Sequence, residues 1–186
     1  MSLGTKLVWF FWGPLAMVPL MLLLGEVHLP QPFPYHWHKA LHVVGAVIFV
    51  GNVVTQGLWI SGANGTGNAG AIRAAIRTLG LTDLYFMGPG MFLVIANGAL
   101  LAQAWGGVYR WSWLVAALVL FGLWGTIAIP LTFVQVKQYK LARSASDEEL
   151  AAAMKKPVKG MLAMLLLMLG MPIAIAVLMV LKTRLW

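Results

Sequence analysis

The stretch that decides the fold is HWHKALHVVGAVIFVGNVVTQGLW, residues 36–59. Its last charged residue is Lys39, and none follows until Arg73. A bilayer hydrocarbon core of roughly 30 Å is crossed by about 20 apolar residues in an α-helix. This stretch is that long, and three of the chain's four histidines sit at its start.

The same reading applied outward finds four more apolar segments. Spanning helices are expected at about residues 5–24, 38–60, 83–104, 112–136 and 159–181. The composition agrees: 61% of residues are hydrophobic, 10% are charged, and the mean hydropathy is +0.85. A soluble domain carries about 25% charged residues. The 186 residues leave no room for a sizeable soluble domain. The expected fold is therefore all-α, a single integral membrane domain of five spanning helices over residues 1–186. The first segment resembles a signal peptide, but its apolar run is long and no A-x-A site follows. It reads as a retained helix.

The net charge of +8 raises the question of nucleic acid. The basic residues lie in short loops and at helix ends, which suits membrane orientation and anionic headgroups instead. Arg73 and Arg77 occupy one loop, and Lys137, Lys140, Arg143, Lys155, Lys156 and Lys159 another on the same side. The positive-inside rule then places the N-terminus in the cytoplasm and the C-terminus in the periplasm. Lys182 and Arg184 oppose this weakly, and both can snorkel. The histidines fall at the outer face. With no cysteine, disulfides and thiolate metal sites are excluded.

Local signals add detail. Pro30, Pro32 and Pro34 favour an extended path before the second segment. SGANGTGNAG, residues 61–70, reads as a turn, and AIRAAIRTLG, residues 71–80, as an amphipathic piece lying on the membrane surface. Gly88-Pro89-Gly90 should loosen the start of the third segment, with Asp83 as its N-cap. Trp105, Tyr109, Trp111 and Trp113 form an expected aromatic belt around Gly106-Gly107. Pro130 should kink the fourth segment. Ser146-x-x-Glu149 is a capping box opening a short helix to about Met154. Gly57-x-x-x-Ser61, Gly98-x-x-x-Ala102 and Gly122-x-x-Gly125 mark expected close helix contacts.

The chemistry concentrates at the histidines. His38 and His42 are four apart and share a helix face. Two neutral imidazoles at that spacing can chelate a divalent metal such as copper or zinc, with His28 and Glu26 folding back to complete the set. His42 can be an axial ligand of haem b in an apolar slot between helices, with His28, His36 or His38 as a second histidine, or else a methionine, lysine, water or nothing on the other side. The alternative is that His36 and His38 are interfacial and His42 bonds a neighbouring helix. Asn52 and Gln56 lie on one face below His42. With Asn97 they either glue helices together or line a polar path and a cofactor pocket. No P-loop, GxSxG or HExxH motif is present.

Four stretches together carry a resemblance. They are Lys39-Ala-Leu-His42-Val-Val-Gly45-Ala with Gly51-Asn52, and Asp83-Leu-Tyr-Phe-Met-Gly-Pro89-Gly90 with Asn97-Gly98. The others are Trp124 through Pro130 to Gln135-Val-Lys-Gln, and Gly170-Met-Pro172 through Leu178-Met179-Val180-Leu-Lys182. Over roughly residues 38–182 the chain resembles an uncharacterised family of bacterial predicted integral membrane proteins. That family is distantly similar to the copper-resistance D proteins and the haem-linked protoporphyrinogen oxidase J proteins. The resemblance implies a four-helix bundle of the second to fifth spans, with the first as an extra N-terminal helix, in the bacterial inner membrane, and a haem-associated histidine on the bundle's first helix, here at His42. Three functions are open on the sequence: a b-type haem redox protein, an outer-face metal-handling protein, and an accessory subunit of a larger membrane complex. The expected partners are the lipid bilayer and other membrane subunits or a redox partner.

Overall fold

The structure is a computed structural model that describes residues 30–155 and 158–186, without the side chains of 158–162 and 165. The described residues are helical and contain no strand. Helix α1 spans Tyr35–Thr66 and α2 Ala69–Thr82. A π-turn at Asp83–Met87 leads into α3, Gly88–Ala104. A 3₁₀ turn, Val108–Arg110, precedes α4, Ser112–Ser144. Helix α5 covers Asp147–Met154 and α6 Val158–Leu181.

Among the described residues, three helical runs are long and apolar enough to cross a membrane: Tyr35–Thr66, Ala69–Ala104 and Ser112–Ser144. The described apolar part of α6, Leu166–Leu181, is shorter than these. The expected five-span bundle is thus carried as far as three spans here, and the segment at 5–24 lies outside the described residues.

The boundaries differ from the sequence reading in an instructive way. α1 and α4 run on to Thr66 and Ser144, beyond the expected ends at 60 and 136. Helix formation does not stop where hydrophobicity does, and a 32-residue helix is about 48 Å long against a core of roughly 30 Å. The expected turn at 61–70 shrinks to Gly67 and Asn68. Gly67 takes the left-handed conformation, and the Asn68 side chain caps α2 by accepting from the Ala71 N–H at 3.0 Å.

Asp83 is not an N-cap. It has helical angles (φ −62°, ψ −43°) inside one continuous run, Ala69–Ala104. The reason lies six residues on. The Pro89 ring has no N–H and crowds the carbonyl four residues before it. The helix widens there into the π-turn, and the Gly88 N–H bonds the Asp83 carbonyl instead.

α1 and α3 make the tightest contact. A Cβ on Gly45 would fall 2.7 Å from Leu93 Cβ and 2.8 Å from the Gly90 carbonyl oxygen. A Cβ on Gly90 would fall 3.0 Å from the Phe49 nitrogen. Small residues here let two backbones touch, as membrane helices require. Among the described residues, nothing lies within 4 Å of a Cβ at Gly122 or Gly125, so the expected contact there is not made by them.

Below this crossing lies an apolar core of Phe49, Val53, Met91, Trp124 and Ala128, with Met168 and Met171 packed on it. Trp124 donates Nε1 to the Met168 carbonyl at 3.0 Å. Pro172, four residues beyond Met168, cannot supply the usual helical donor, so the indole fills that place.

At one end, α2 does not leave its apolar face open to a membrane surface. Ile72 and Ile76 bury against Leu150 and Met154 of α5, whose capping box forms as expected. Arg73 completes the junction. Its guanidinium donates to the Ala142 carbonyl, to the Ala145 carbonyl at 2.7 Å and to Asp147 at 2.9 Å, satisfying the open end of α4.

At the other end sits the aromatic belt. Gly106 and Gly107 reverse the chain with positive φ, bonding back to Gln103 and Ala102. Trp105 packs edge-on against Trp113 and donates to the Tyr35 hydroxyl at 3.2 Å. Lys182 lies over the Trp105 ring, 5.0 Å from its centroid, and the Leu185 N–H reaches Ser112 Oγ at 2.8 Å.

Candidate cofactor site

The first turns of α1 carry His36, His38 and His42. His36 is exposed beside Trp37, and the helix begins before it, at Tyr35. His38 and His42 both face α3, as their spacing requires. His38 is 2% exposed, and its Nδ1 lies 2.8 Å from Asn97 Oδ1. His42 is half-buried, with Nδ1 2.8 Å from the Val94 carbonyl oxygen.

These contacts assign the protons. A carbonyl only accepts, so His42 carries its hydrogen on Nδ1. Asn97 donates Nδ2 to the Leu93 carbonyl at 2.9 Å, which turns its Oδ1 towards His38. His38 Nδ1 is therefore also the protonated nitrogen. In the neutral rings both Nε2 atoms hold a free lone pair. This is how a ligating histidine is prepared: the second nitrogen is tied to an acceptor, which fixes tautomer and ring orientation.

The surroundings sharpen the arrangement. His38 Nε2 is buried and makes no hydrogen bond. The Phe33 ring stands 5.9 Å from the His38 ring. A Cβ on Gly98 would come 3.0 Å from His42 Cε1 and 3.2 Å from Nδ1, so the glycine makes the seat for that imidazole. Trp113 Nε1, in the belt at the same end, is also buried without a partner.

His38, His42 and Asn97 are thus brought together. Asn52 is not with them. It lies ten residues below His42, about 15 Å along α1. The Gly45–Gly90 crossing and Phe49 intervene between the two levels. His28 and Glu26 lie outside the described residues. Among the described residues, no group of three or more His, Asp or Glu side chains converges.

Asn52 instead belongs to a second polar level. Gln56 Nε2 donates to Asp83 Oδ1, and to Thr82 Oγ1 at 3.2 Å. Asn52, buried one turn before Gln56 on the same face of α1, completes no hydrogen bond through its Nδ2. The sequence reading gave Asp83 a capping role and missed this cluster. The signal was available: Asp83 is the sole acidic residue between Glu26 and Asp147.

A surface cavity of about 340 Å³ opens between Val50 on α1 and Pro172, Ala176 and Val180 on α6. Its lining is apolar and contains no histidine. No curated protein and no solved structure is significantly similar to this chain. A family model does match, over residues 37–183, and its description is that of a predicted integral membrane protein (DUF2269). The chain, with its three long apolar helices and its His38–Asn97 end, belongs to that family of integral membrane proteins.

Proposed function

We propose that this membrane protein is a b-type haem redox protein of the bacterial inner membrane, with His42 as an axial ligand. The observation that supports it most directly is the His42 tautomer. The Val94 carbonyl accepts a hydrogen bond from Nδ1–H, and Gly98 leaves room for the ring, so Nε2 is the nitrogen left to ligate. The donor set fits the group: a neutral imidazole with a free lone pair in an apolar helical bundle. His38 and Asn97 brace the same end of α1 against α3. The aromatic belt of Tyr35, Trp105 and Trp113 covers that end. Bound there, haem supplies one-electron exchange. In the orientation set by the positive-inside rule, this end faces the periplasm.

One further observation favours a second reading. His38 Nε2 is a buried lone pair without a partner, one helical turn from His42. Two Nε2 donors at that spacing suit a single copper or zinc ion. Two histidines one turn apart on one helix do not suit the opposite faces of one porphyrin, so His38 is not the second axial ligand.

The test is the absorption spectrum of protein purified in mild detergent, expressed with ample haem, before and after dithionite. A Soret band that sharpens on reduction and is lost in His42→Ala supports the haem reading. A colourless protein that retains copper or zinc, and loses it in His38→Ala, supports the metal reading. A colourless, metal-free protein leaves a structural role in a larger membrane complex.

A further inference from the structure

The cavity between α1 and α6 belongs to neither polar level. It is lined by Val50 of α1 and by Pro172, Ile173, Ala176, Val177 and Val180 of α6, among other apolar side chains. A small-molecule pocket needs a few placed polar groups to orient its ligand, and these side chains offer none. What they offer is a surface for packing a helix. Leu166, Gly170, Ile173, Val177 and Val180 are all exposed and recur along α6 at spacings of 4, 3, 4 and 3. That is the spacing of a seam that packs against another helix at a shallow angle. Gly170 in the seam and Ala176 beside it are small, which lets two membrane helices approach closely. A Cβ at Gly170 would meet no described atom within 4 Å, so the backbone there is open to a partner.

The chain itself arrives at the mouth of this groove. The C-terminal end of α6 lies beside the N-terminal end of α1, because Lys182 sits over Trp105 and Trp105 donates to Tyr35. The apolar residues 5–24 are joined to α1 by the ten residues 25–34. Ten residues reach up to roughly 33–36 Å when extended, while neighbouring helix axes lie about 8–10 Å apart. The groove is bordered by α1 itself, so this tether reaches it with length to spare. A span that ends at Leu24 comes out at the end of the bundle where α1 begins, and so runs parallel to α6. Gly13, Ala16, Leu20 and Leu23 give it a matching row at spacings of 3, 4 and 3. A short tether also holds a segment at an effective concentration on the order of millimolar, which a separate molecule must match.

We infer that the α1–α6 groove is the docking site of the chain's own apolar segment 5–24, packed parallel to α6 along the Leu166–Val180 seam. Docking replaces lipid on that seam with close van der Waals contact, the main attraction between helices in a bilayer. The family match covers residues 37–183, so the groove belongs to the family's part of the chain and its occupant lies outside that part. The assignment does not depend on what the histidines hold.

The test is disulfide mapping of the full chain in membranes, where no native cysteine interferes. Val180→Cys is paired in turn with a cysteine at each position from Leu20 to Leu24, and Ile173→Cys with one at each position from Gly13 to Met17. Oxidation is expected to link both series within one chain, each at about one or two positions per turn, with the two preferred positions about seven residues apart. Val119→Cys, exposed on α4 and not part of the groove, is expected to link with neither series. Ser112→Cys with Leu185→Cys, at a described contact, shows that the oxidation works. Each series holds five variants, so one that does not fold leaves its neighbours to decide. Links formed only between two chains make a second copy the occupant and overturn the assignment. Links to Val119→Cys in place of the groove positions overturn it as well. No link to either groove position, with the Ser112–Leu185 pair linked, leaves the groove to lipid and also overturns it.

Discussion

Asn97 accepts a hydrogen bond from His38 across the α1–α3 interface, Oδ1 to Nδ1 at 2.8 Å, and the two residues are 59 apart in sequence. Its own Nδ2 is held by the Leu93 carbonyl, so its orientation is not free to reverse. Removing one partner leaves the other buried and unsatisfied. Asn97→Ala is therefore expected to cost about 1–3 kcal/mol of stability. In a double-mutant cycle, adding His38→Ala should recover about 1 kcal/mol of that loss. Unfolding in detergent measures both, and strictly additive effects would remove the bond from the account.

Gly98 and Gly122 look alike in sequence, and the structure separates them. A Cβ at 98 meets the His42 ring at 3.0 Å, while one at 122 meets no described atom within 4 Å. Gly98→Ala should displace His42 and diminish whatever spectrum or metal content His42 supports. Gly122→Ala should leave both unchanged and stabilise the helix by roughly 0.5–1 kcal/mol. A Gly98→Ala protein with an unaltered ligand complement would contradict the seat assigned to His42.

Gly45 tests the helix crossing. The atoms a Cβ would strike include the Gly90 carbonyl oxygen at 2.8 Å and Leu93 Cβ at 2.7 Å, neither the end of a flexible side chain. Gly45→Ala must push α1 and α3 apart, at an expected cost of about 1–3 kcal/mol. Thermal unfolding compared with Gly51→Ala, where no atom lies within 4 Å, gives the control.

The Trp124–Met168 bond can be examined through Pro172. Trp124→Phe removes the donor from a carbonyl that has no helical partner, at an expected cost of about 1–3 kcal/mol. Made in a Pro172→Ala background, the same change should cost less, because that substitution restores a backbone N–H to face the Met168 carbonyl. Equal losses in the two backgrounds would show that the indole acts through packing alone.

Arg73 joins two helix ends, and its contacts are unequal. The Asp147 side chain is 79% exposed, so that ion pair is worth at most about 1 kcal/mol. The Ala142 and Ala145 carbonyls are the open end of α4. Arg73→Ala should therefore destabilise clearly more than Asp147→Ala, as read by limited proteolysis near residue 145. The reverse order would make the ion pair the main contact.

Much of the fold was legible because hydrophobic length and turn chemistry act locally. The apolar runs at 38–60, 83–104 and 112–136, the Gly106-Gly107 reversal and the Ser146–Glu149 capping box need no distant partner. The spacing of His38 and His42 likewise sets their common face. Helix ends beyond the apolar runs were less legible, since helix propensity outlasts hydrophobicity at Thr66 and Ser144.

Everything that depends on which helix meets which belonged to the tertiary structure. The sequence could offer Asp83 as a cap because an acid before an apolar run usually is one. It could not show that Pro89 widens the helix into a π-turn and that Gln56, 27 residues earlier, bonds the carboxylate. It marked three small-residue stripes, but not that Gly45 and Gly90 make the close crossing. It grouped both Asn52 and Asn97 with His42, and the packing of α1 on α3 brings Asn97 to the histidines while Asn52 stays ten residues below. The physical reason is the same each time. A side chain's spacing along its own helix is written in the sequence, whereas its partner is set by the register between helices, which only their packed backbones fix.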